Sequence, residues 1–279
     1  MMLNFNGDIQ NRTEKIFLNR AFLYGDSVFE TIKVVKNKIL FWEEHYLRLM
    51  SSMRILKIEI PNTFTPEYLE DQIKKTNFSI SKLFSGRVRL TIFRDGGGFY
   101  TPKSNESCFV IKSSENDKIL FETEFKEYKV DIYKDYFIQS NLLSNLKTNN
   151  RLINVLGSIY AKNNGLENCI LLNDQKLVAE FLNGNIFIVK ENIVLTPPLG
   201  SGCLGGVMRN KIIESINEIP LIEVKEENFS AYEIISSQEI WVSNCISGII
   251  PVTDYRNKQF GNSLARKVTD LFNNEISSI

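Results

Sequence analysis

Four polar features of this sequence could do chemistry together. Lys147 stands alone in the Ser/Asn-rich stretch SNLLSNLKTNN, which leads into an apolar helical pattern, and it offers an amine. Glu180, near the end of the strand-like LVAEFL, offers a carboxylate. Glycines at 205 and 206 allow a ligand to approach the backbone, and the N–H groups that begin the predicted helix after them could bind an anion. Arg48, in HYLRL, offers a guanidinium for the same anion.

Taken singly, each feature has an ordinary explanation. A lysine at a helix start is commonly a solvated side chain, and a glycine-rich stretch is often only a turn. Taken together, an amine, a carboxylate for a ring nitrogen and a phosphate site are what pyridoxal phosphate requires of a protein.

The histidine content narrows the remaining chemistry. His45 is the only histidine, which excludes multi-histidine metal sites and leaves one residue for any Ser-His-Asp triad. It lies at the start of a helical pattern in FWEEHYLRLM, where we expect it to cap or pack rather than to react. Catalysis should therefore depend on lysine, carboxylates or a bound cofactor.

Residues 200–205, GSGCLG, match the G-x-G-x-x-G pattern of dinucleotide-binding folds. However, Pro197, Pro198 and Leu199 separate the preceding strand pattern from the first glycine, so the tight strand-to-helix turn of that motif cannot form. The segment also comes late in a strand-rich region with no second βαβ unit. We therefore interpret the loop as a phosphate site of another kind.

Composition argues against nucleic-acid, membrane and exported roles and suits a cytoplasmic protein. Lys and Arg number 33, as do Asp and Glu, so no net field favours nucleic acid or an anionic membrane. The apolar runs are too short to span a bilayer, and the start, MMLNFNGDIQNR, lacks an export signal. The four cysteines are scattered without a CxxC pair, as expected for reduced thiols.

Hydrophobic periodicity predicts two α+β domains, at residues 1–112 and 121–279, joined by a polar linker at 113–120. In the first domain we predict strands at 28–35, 87–93 and 107–113 and helices at 43–56 and 66–75. In the second, strand-rich domain we predict strands at 129–133, 168–173, 177–182, 185–190, 192–196, 220–224, 239–244 and 248–254. Its helices are predicted after Lys147, near 206–217 and at 264–276.

Six blocks of the chain, in this order and spacing, resemble the class IV pyridoxal-phosphate enzymes of fold type IV. The blocks are LNRAFLYGDSVFETIKV, HYLRLMSSMRIL, NLKTNNRLINVLGSIYAKNNGLENCILL, VAEFLNGNIF, LTPPLGSGCLGGVMRNKII and VSNCISGIIPV. That family includes branched-chain aminotransferases, D-amino-acid aminotransferases and aminodeoxychorismate lyases. The resemblance implies the two-domain α+β fold of D-amino-acid-aminotransferase-like enzymes, pyridoxal phosphate as cofactor, and a homodimer.

The resemblance also implies roles for single residues. Lys147 would join the cofactor covalently and move protons, Arg48 would bind its phosphate, and Glu180 would keep its pyridine nitrogen protonated. The other implied cofactor contacts are Leu204 against the ring, Gly206, Val207 and Met208 at the phosphate, and Cys245. Relatives commonly carry threonine at the last two of these positions, so we expect backbone groups to hold much of the phosphate.

On the substrate side, the resemblance implies a pocket lined by Tyr24, Phe29 and Thr31, although Phe29 could equally be an inward-facing strand residue. The loop from Arg94 to Thr101 would reach the active site of the partner in the dimer. Arg94 is also a candidate for binding a substrate carboxylate.

The choice between lyase and aminotransferase depends on a few positions. Thr31 stands where lyases carry a threonine that assists proton transfer, and branched-chain aminotransferases carry glycine there. Leu152 replaces a tyrosine of the branched-chain enzymes. Conversely, RDGGGFYTP has Phe99 where lyases often show arginine, so a cation for the substrate is lost unless Arg94 or Arg151 supplies it.

These positions favour 4-amino-4-deoxychorismate lyase, which releases pyruvate and 4-aminobenzoate for folate synthesis. The first alternative is an aminotransferase acting on D-amino or branched-chain amino acids. The second is a non-catalytic binding protein that has kept the fold.

Overall fold

The computed structural model describes residues 3–10, 19–116 and 118–278, which divide into two compact units. Unit 1 contains the described residues up to 119 together with 147–150, and unit 2 contains 120–146 and 151–278. Both units contain helices and sheets, and the predicted α+β class is confirmed.

Unit 1 is built on one antiparallel sheet of six strands, in the order β2-β1-β6-β5-β3-β4. The strands are β1 (Leu3–Phe5), β2 (Asp8–Gln10), β3 (Ser27–Val35), β4 (Lys38–Ile39), β5 (Gly86–Arg94) and β6 (Ser107–Glu115). The three strands predicted for this unit are thus confirmed. The two central strands are β6 and β5, and the buried residues Val88, Leu90 and Ile92 alternate along β5.

Three helices complete unit 1: α1 (Arg20–Tyr24), α2 (Trp42–Ile55) and α3 (Pro66–Phe78). Helices α2 and α3 match the two predicted helices. Leu49 and Met53 of α2 share a core with Val28 and Ile32, which alternate along β3. Because successive strand residues point to opposite faces, Phe29 and Thr31 lie on the other side of the sheet.

Unit 2 contains two five-stranded sheets, in the orders β12-β11-β10-β13-β14 and β16-β15-β7-β8-β9. The strands are β7 (Lys129–Ile138), β8 (Asn168–Asn173), β9 (Val178–Phe181), β10 (Asn185–Lys190), β11 (Ile193–Thr196), β12 (Glu223–Glu226), β13 (Glu239–Asn244), β14 (Gly248–Pro251), β15 (Asp254–Tyr255) and β16 (Lys258–Gln259). Apolar residues of both sheets form one buried cluster, with Ile170, Phe181, Ile188 and Val242 among its members. Strands β8, β9, β10 and β13 are buried on both faces along almost their whole length.

The helices of unit 2 are α4 (Leu152–Asn163), α5 (Val207–Asn217), α6 (Ala231–Ser236) and α7 (Ser263–Ser277). Helix α5 connects β11 to β12, which pair in parallel. A 3-10 turn, Leu199–Ser201, separates β11 from the glycines that precede α5. The chain therefore makes no tight strand-to-helix turn there, as the prolines predicted.

Three details differ from the sequence prediction. Strand β6 continues to Glu115, into the predicted linker 113–120, because it pairs with β5 along its whole length. Residues 147–150 group with unit 1 instead of the predicted second domain, because their backbone bonds to β3. The predicted strand at 220–224 begins only at Glu223. Within the predicted domains, residues 1–2, 11–18, 117 and 279 lie outside the described residues.

Across the described ranges, no helix combines the length and apolarity needed to cross a bilayer. The same residues contain no group of three or more His, Cys, Asp or Glu side chains arranged for a metal ion.

Candidate active site

Lys147 lies on an extended segment beside β3, five residues before α4 begins. The Phe29 N–H donates to the Lys147 carbonyl at 2.8 Å, and the Asn149 N–H donates to the Ser27 carbonyl at 3.3 Å. Thr148 forms a β-bridge with Val28 between these two bonds. The lysine is therefore positioned by strand pairing rather than by the helix that follows it.

The side chain of Lys147 meets an aromatic and cationic cluster on one face of the unit 1 sheet. Its Nζ lies 4.7 Å from the centroid of the Phe29 ring. The Arg89 guanidinium lies 3.6 Å from the same ring, and it donates to Asn149 Oδ1 at 2.8 Å. Thr31 is directly opposite Arg89 in the β3–β5 register, so it shares this face. A primary amine, a guanidinium and a hydroxyl residue thus share one surface.

Arg89 remains a cation at neutral pH despite its position. Burial, with a smaller effect from Arg87, lowers the pKa of its guanidinium to about 10. The stacking on Phe29 and the bond to Asn149 hold its plane in place. An oriented, partly desolvated guanidinium is well suited to bind a carboxylate.

The opposite face of β3 carries a buried ionic cluster of Glu30, His45 and Arg48. Glu30 is 1% exposed. His45 Nδ1 lies 2.7 Å from Glu30 Oε2, Arg48 Nε donates to Glu30 Oε1 at 2.8 Å, and an Arg48 Nη also contacts Glu30 Oε2. Burial opposes ionisation of Glu30, but the charge of Arg48 and the bonds from both partners outweigh it and lower the pKa to about 2. His45 is fully buried in α2, where it contacts the Glu30 carboxylate.

Asp26 anchors a second ionic cluster in unit 1. Its Oδ2 accepts from Arg20 Nε at 2.8 Å and from Arg94 Nε at 2.9 Å. Arg20 also donates to the carbonyls of Gly97 at 3.2 Å and Phe99 at 2.5 Å, so the glycine-rich loop is tied to α1. The cluster therefore holds the loop from Arg94 to Thr101, which the family resemblance implies would reach the partner subunit.

Arg94 is held by hydrogen bonds within unit 1, and its role as a substrate ligand stays a prediction. It is 7% exposed, and four of its five N–H groups bond within unit 1. Its acceptors, besides Asp26, are the carbonyls of Leu56 and Lys57 and Asn105 Oδ1. Arg151, the other residue considered, donates to the Leu146 carbonyl at 2.6 Å.

Tyr24 ends α1, and its ring lies 5.8 Å from the ring of Tyr100 in the glycine-rich loop. The tips of this loop, Phe99 and Tyr100, are 83% and 91% exposed. Whether Tyr24 contacts substrate stays a prediction.

In unit 2, Glu180 and Leu204, two residues that the family resemblance implies for the cofactor, lie in direct contact. Glu180 is 5% exposed, and its Oε2 accepts the Leu204 N–H at 2.8 Å. The Leu204 carbonyl in turn accepts from Asn185 Nδ2 at 2.8 Å. The loop that carries Leu204 is thus fixed on both sides by residues of β9 and β10.

Gly206 forms the start of α5, where Val207 and Met208 are the first helical residues. A Cβ at this position would lie 2.0 Å from Asn185 Oδ1, so any side chain there would have to displace Asn185. The helix has no side-chain cap and no acidic residue in its first turn. Its first N–H groups and positive dipole end therefore favour an anion.

Cys245 lies in the loop after β13, two residues beyond Ser243, which pairs with Asn185. Asn244 Oδ1 accepts the N–H groups of Ile246 and Ser247 at 3.0 and 2.9 Å and shapes this loop. The strand register thus brings Cys245 to the same end of the sheet as the loop before α5. Its thiol is buried, as are those of the other three cysteines.

Sequence reasoning missed Arg89 and the pairing of Glu30 with Arg48. Glu30 left a signal, because it occupies the apolar half of the alternation Val28, Glu30, Ile32, and a carboxylate there requires a partner. Arg89 left none, since RVRLTIF looks like any strand with polar residues on one face.

Comparisons with known proteins bear on what this geometry serves. Residues 27–255 match the family described as Amino-transferase class IV. The chain is 27% identical to Aminodeoxychorismate lyase of Vibrio harveyi over 84% of its own length and 85% of the relative's. It is 24% identical to D-alanine aminotransferase of Bacillus licheniformis over 100% and 98% of the two chains.

Among solved structures, the branched-chain amino acid aminotransferase of Thermobaculum terrenum, in its pyridoxal-phosphate form, superposes with a TM-score of 0.87. The match covers 99% of this chain and 94% of that one at 19% identity, and so concerns the fold alone.

Proposed function

Because this chain belongs to the class IV aminotransferase family and is a pyridoxal-phosphate-dependent enzyme, we propose that its reaction is that of 4-amino-4-deoxychorismate lyase. The products would be pyruvate and 4-aminobenzoate, a precursor in folate synthesis. The observation that carries the proposal is Thr31 on the sheet face that also holds Lys147, Phe29 and Arg89. Family membership also decides against a non-catalytic binding protein.

The residues of the chain fit the cofactor. The start of α5 has no side-chain cap and no acidic residue in its first turn, which suits the phosphate of the cofactor. Asn185 lies too close to Gly206 for a Cβ, so Gly206 has no side chain to shield its backbone N–H from a ligand. The buried Glu180 suits a ring nitrogen that must stay protonated. We propose that Arg48, Leu204, Val207, Met208 and Cys245 complete the cofactor contacts.

When bound, pyridoxal phosphate supplies an aldehyde that links to an amine and a ring that withdraws electrons from the substrate. Lys147 then moves protons at the substrate carbon atoms, acting as general base and general acid in turn. The hydroxyl of Thr31, on the same sheet face, assists this transfer. Glu180 would face the ring nitrogen and keep it protonated, because a buried carboxylate favours a positive charge beside it.

Arg89 is proposed as the residue that binds a substrate carboxylate. 4-Amino-4-deoxychorismate carries two carboxylates, and Phe99 leaves this chain without the loop arginine common in lyases. Arg89 provides a cation within the same cluster as Lys147, fixed by Phe29 and Asn149. This assignment replaces the earlier candidates Arg94 and Arg151.

The reaction itself is tested with purified holoenzyme. Incubation with 4-amino-4-deoxychorismate should release fluorescent 4-aminobenzoate and an equal amount of pyruvate. Arg89→Met should raise the KM for this substrate, because it removes the carboxylate partner. Amino transfer from D-alanine or a branched-chain amino acid, with no 4-aminobenzoate formed, would refute the lyase.

Aminotransferase activity is the second candidate, favoured by Phe99 in the loop and by Arg89 itself. A guanidinium beside Lys147 would also suit the side-chain carboxylate of glutamate or 2-oxoglutarate. The same Arg89→Met variant would then impair glutamate more than alanine as amino donor.

We further propose a homodimer. Helix α4 exposes an apolar stripe at i, i+3, i+4 and i+7: Leu152, Val155, Leu156 and Ile159 are 77%, 53%, 41% and 52% exposed. A stripe of this spacing is typical of a covered helix face. Sedimentation should give twice the chain mass, and Val155→Glu should shift the protein to monomer, whereas the control Leu221→Glu at another exposed site should not.

We also propose that the enzyme resides in the cytoplasm, since its four cysteines are free and buried. Non-reducing electrophoresis of protein from intact cells should show no disulfide.

A further inference from the structure

Arg48 has a proposed part in binding the cofactor, but Glu30 and His45, which form a buried cluster with it, have none in the function described so far. Burying a carboxylate is costly, and unit 1 would pack an apolar residue at position 30 without that cost, since Val28 and Ile32 flank it on the same face. Yet Glu30 is held in the core by two cationic or hydrogen-bonding partners. Its presence there requires an explanation other than stability.

We propose that Glu30 is a positioning residue, which orients the Arg48 guanidinium for the phosphate of the cofactor. The inference rests on the proposed role of Arg48 and deepens it. Glu30 contacts the Nε edge of Arg48 with both carboxylate oxygens, a two-point pairing that fixes the plane of the guanidinium as well as its position.

His45 fixes the carboxylate in turn. Its Nδ1 lies 2.7 Å from Glu30 Oε2, and the ring is completely buried in α2. His45 and Arg48 lie three residues apart, on adjacent positions of one helix face. The helix thus presents both partners to a single strand residue, and Arg48 has little rotational freedom left to lose when an anion binds.

Two possible effects of Glu30 on Arg48 predict opposite changes in phosphate affinity when Glu30 is replaced. If Glu30 only neutralised Arg48, removing its charge would strengthen the attraction between Arg48 and a phosphate. If Glu30 orients Arg48, removing it frees the guanidinium and weakens phosphate binding. The direction of the change therefore decides between the two.

The test compares pyridoxal phosphate with pyridoxal, which lacks the phosphate, in titrations of the full chain freed of cofactor. In Glu30→Gln the Kd for pyridoxal phosphate should rise about ten-fold or more, as happens when the orienting partner of a ligand residue is removed in metal sites. The Kd for pyridoxal should change little. Glu59→Gln, an exposed glutamate of unit 1, should alter neither Kd.

Glu30→Asp keeps the charge but shortens the side chain, so it tests the same geometry if Glu30→Gln folds poorly. It too should selectively weaken pyridoxal phosphate. An unchanged or lower Kd for pyridoxal phosphate in a folded Glu30 variant would overturn the positioning role.

Arg48→Met separates this inference from the proposal beneath it. If Arg48→Met weakens pyridoxal phosphate selectively and the Glu30 variants do not, only the role of Glu30 is refuted. If Arg48→Met leaves both Kd values unchanged, Arg48 does not bind the phosphate, and the role of Glu30 is refuted with it.

Discussion

Replacing Gly206 with alanine probes the phosphate loop of unit 2 through one added methyl group. The alanine Cβ would lie 2.0 Å from Asn185 Oδ1 and 3.2 Å from Arg209 Cβ, and Asn185 is buried. Such overpacking lowers the free energy of unfolding by about 1–3 kcal/mol. If Asn185 moves away, its hydrogen bond to the Leu204 carbonyl is lost, which costs about 1 kcal/mol more.

A loss of about 2–4 kcal/mol should lower the Tm of the cofactor-free protein by about 4–16 °C, at about 2–4 °C per kcal/mol for a domain of 150–250 residues. Differential scanning calorimetry measures this directly. Gly200→Ala is the matched control, because nothing lies within 4 Å of its Cβ position. The control should change the Tm by about 1 °C or less, as surface substitutions commonly do.

A double variant identifies the cause. An Asn185→Ala background lacks the oxygen that clashes with the new Cβ. Gly206→Ala should therefore lower the free energy of unfolding by about 1 kcal/mol or less in that background. An equal loss in both backgrounds, or a Gly206→Ala protein as stable as the wild type, would refute the packing argument.

Three further predictions concern groups of known environment. Burial raises the pKa of Cys108 to about 12 and of Cys169 to about 11, so native protein at pH 8 should react slowly with a thiol reagent and denatured protein should show four thiols at once. The pKa of Glu30 is about 2 in the folded protein and 4.5 in the unfolded chain, so its contribution to stability is present above pH 4.5 and is lost as the pH falls towards 2. The difference in unfolding free energy between wild type and Glu30→Gln, measured by urea titration, should therefore become smaller over that pH range. Arg94→Leu should lower the free energy of unfolding by about 3–5 kcal/mol, because it removes a buried partner from Asp26 and three other acceptors. A stable Arg94→Leu enzyme with a raised KM would instead support the substrate role.

Much of the fold could be predicted because its elements carry strong local patterns. The alternation of VFETIKVV and the helical spacing of Leu49 and Met53 each specify an element without tertiary information. The short strands β1, β2, β15 and β16 and the five-residue helix α1 were missed. Elements of two to five residues carry too few positions for a period to register, and pairing partners distant in the chain decide them.

The site divides in the same way. Glu180 and Gly206 were singled out from local patterns and Leu204 from the family resemblance, and in the structure Glu180 contacts Leu204 of the loop before Gly206. Arg89 depends on strand register, which places it opposite Thr31, and no pattern within β5 reveals that neighbour. The charge of Arg94 was visible in the sequence, whereas its four internal acceptors depend on tertiary contacts and were not.

Covalent attachment of the cofactor to Lys147 is the most direct test of the account. Holoenzyme is reduced with borohydride, digested and mapped by mass spectrometry. We expect one phosphopyridoxyl-modified peptide, the one that contains Lys147, and no modified peptide from Lys147→Ala. Attachment at any other lysine, or none in a holoenzyme that is active, would contradict the central claim.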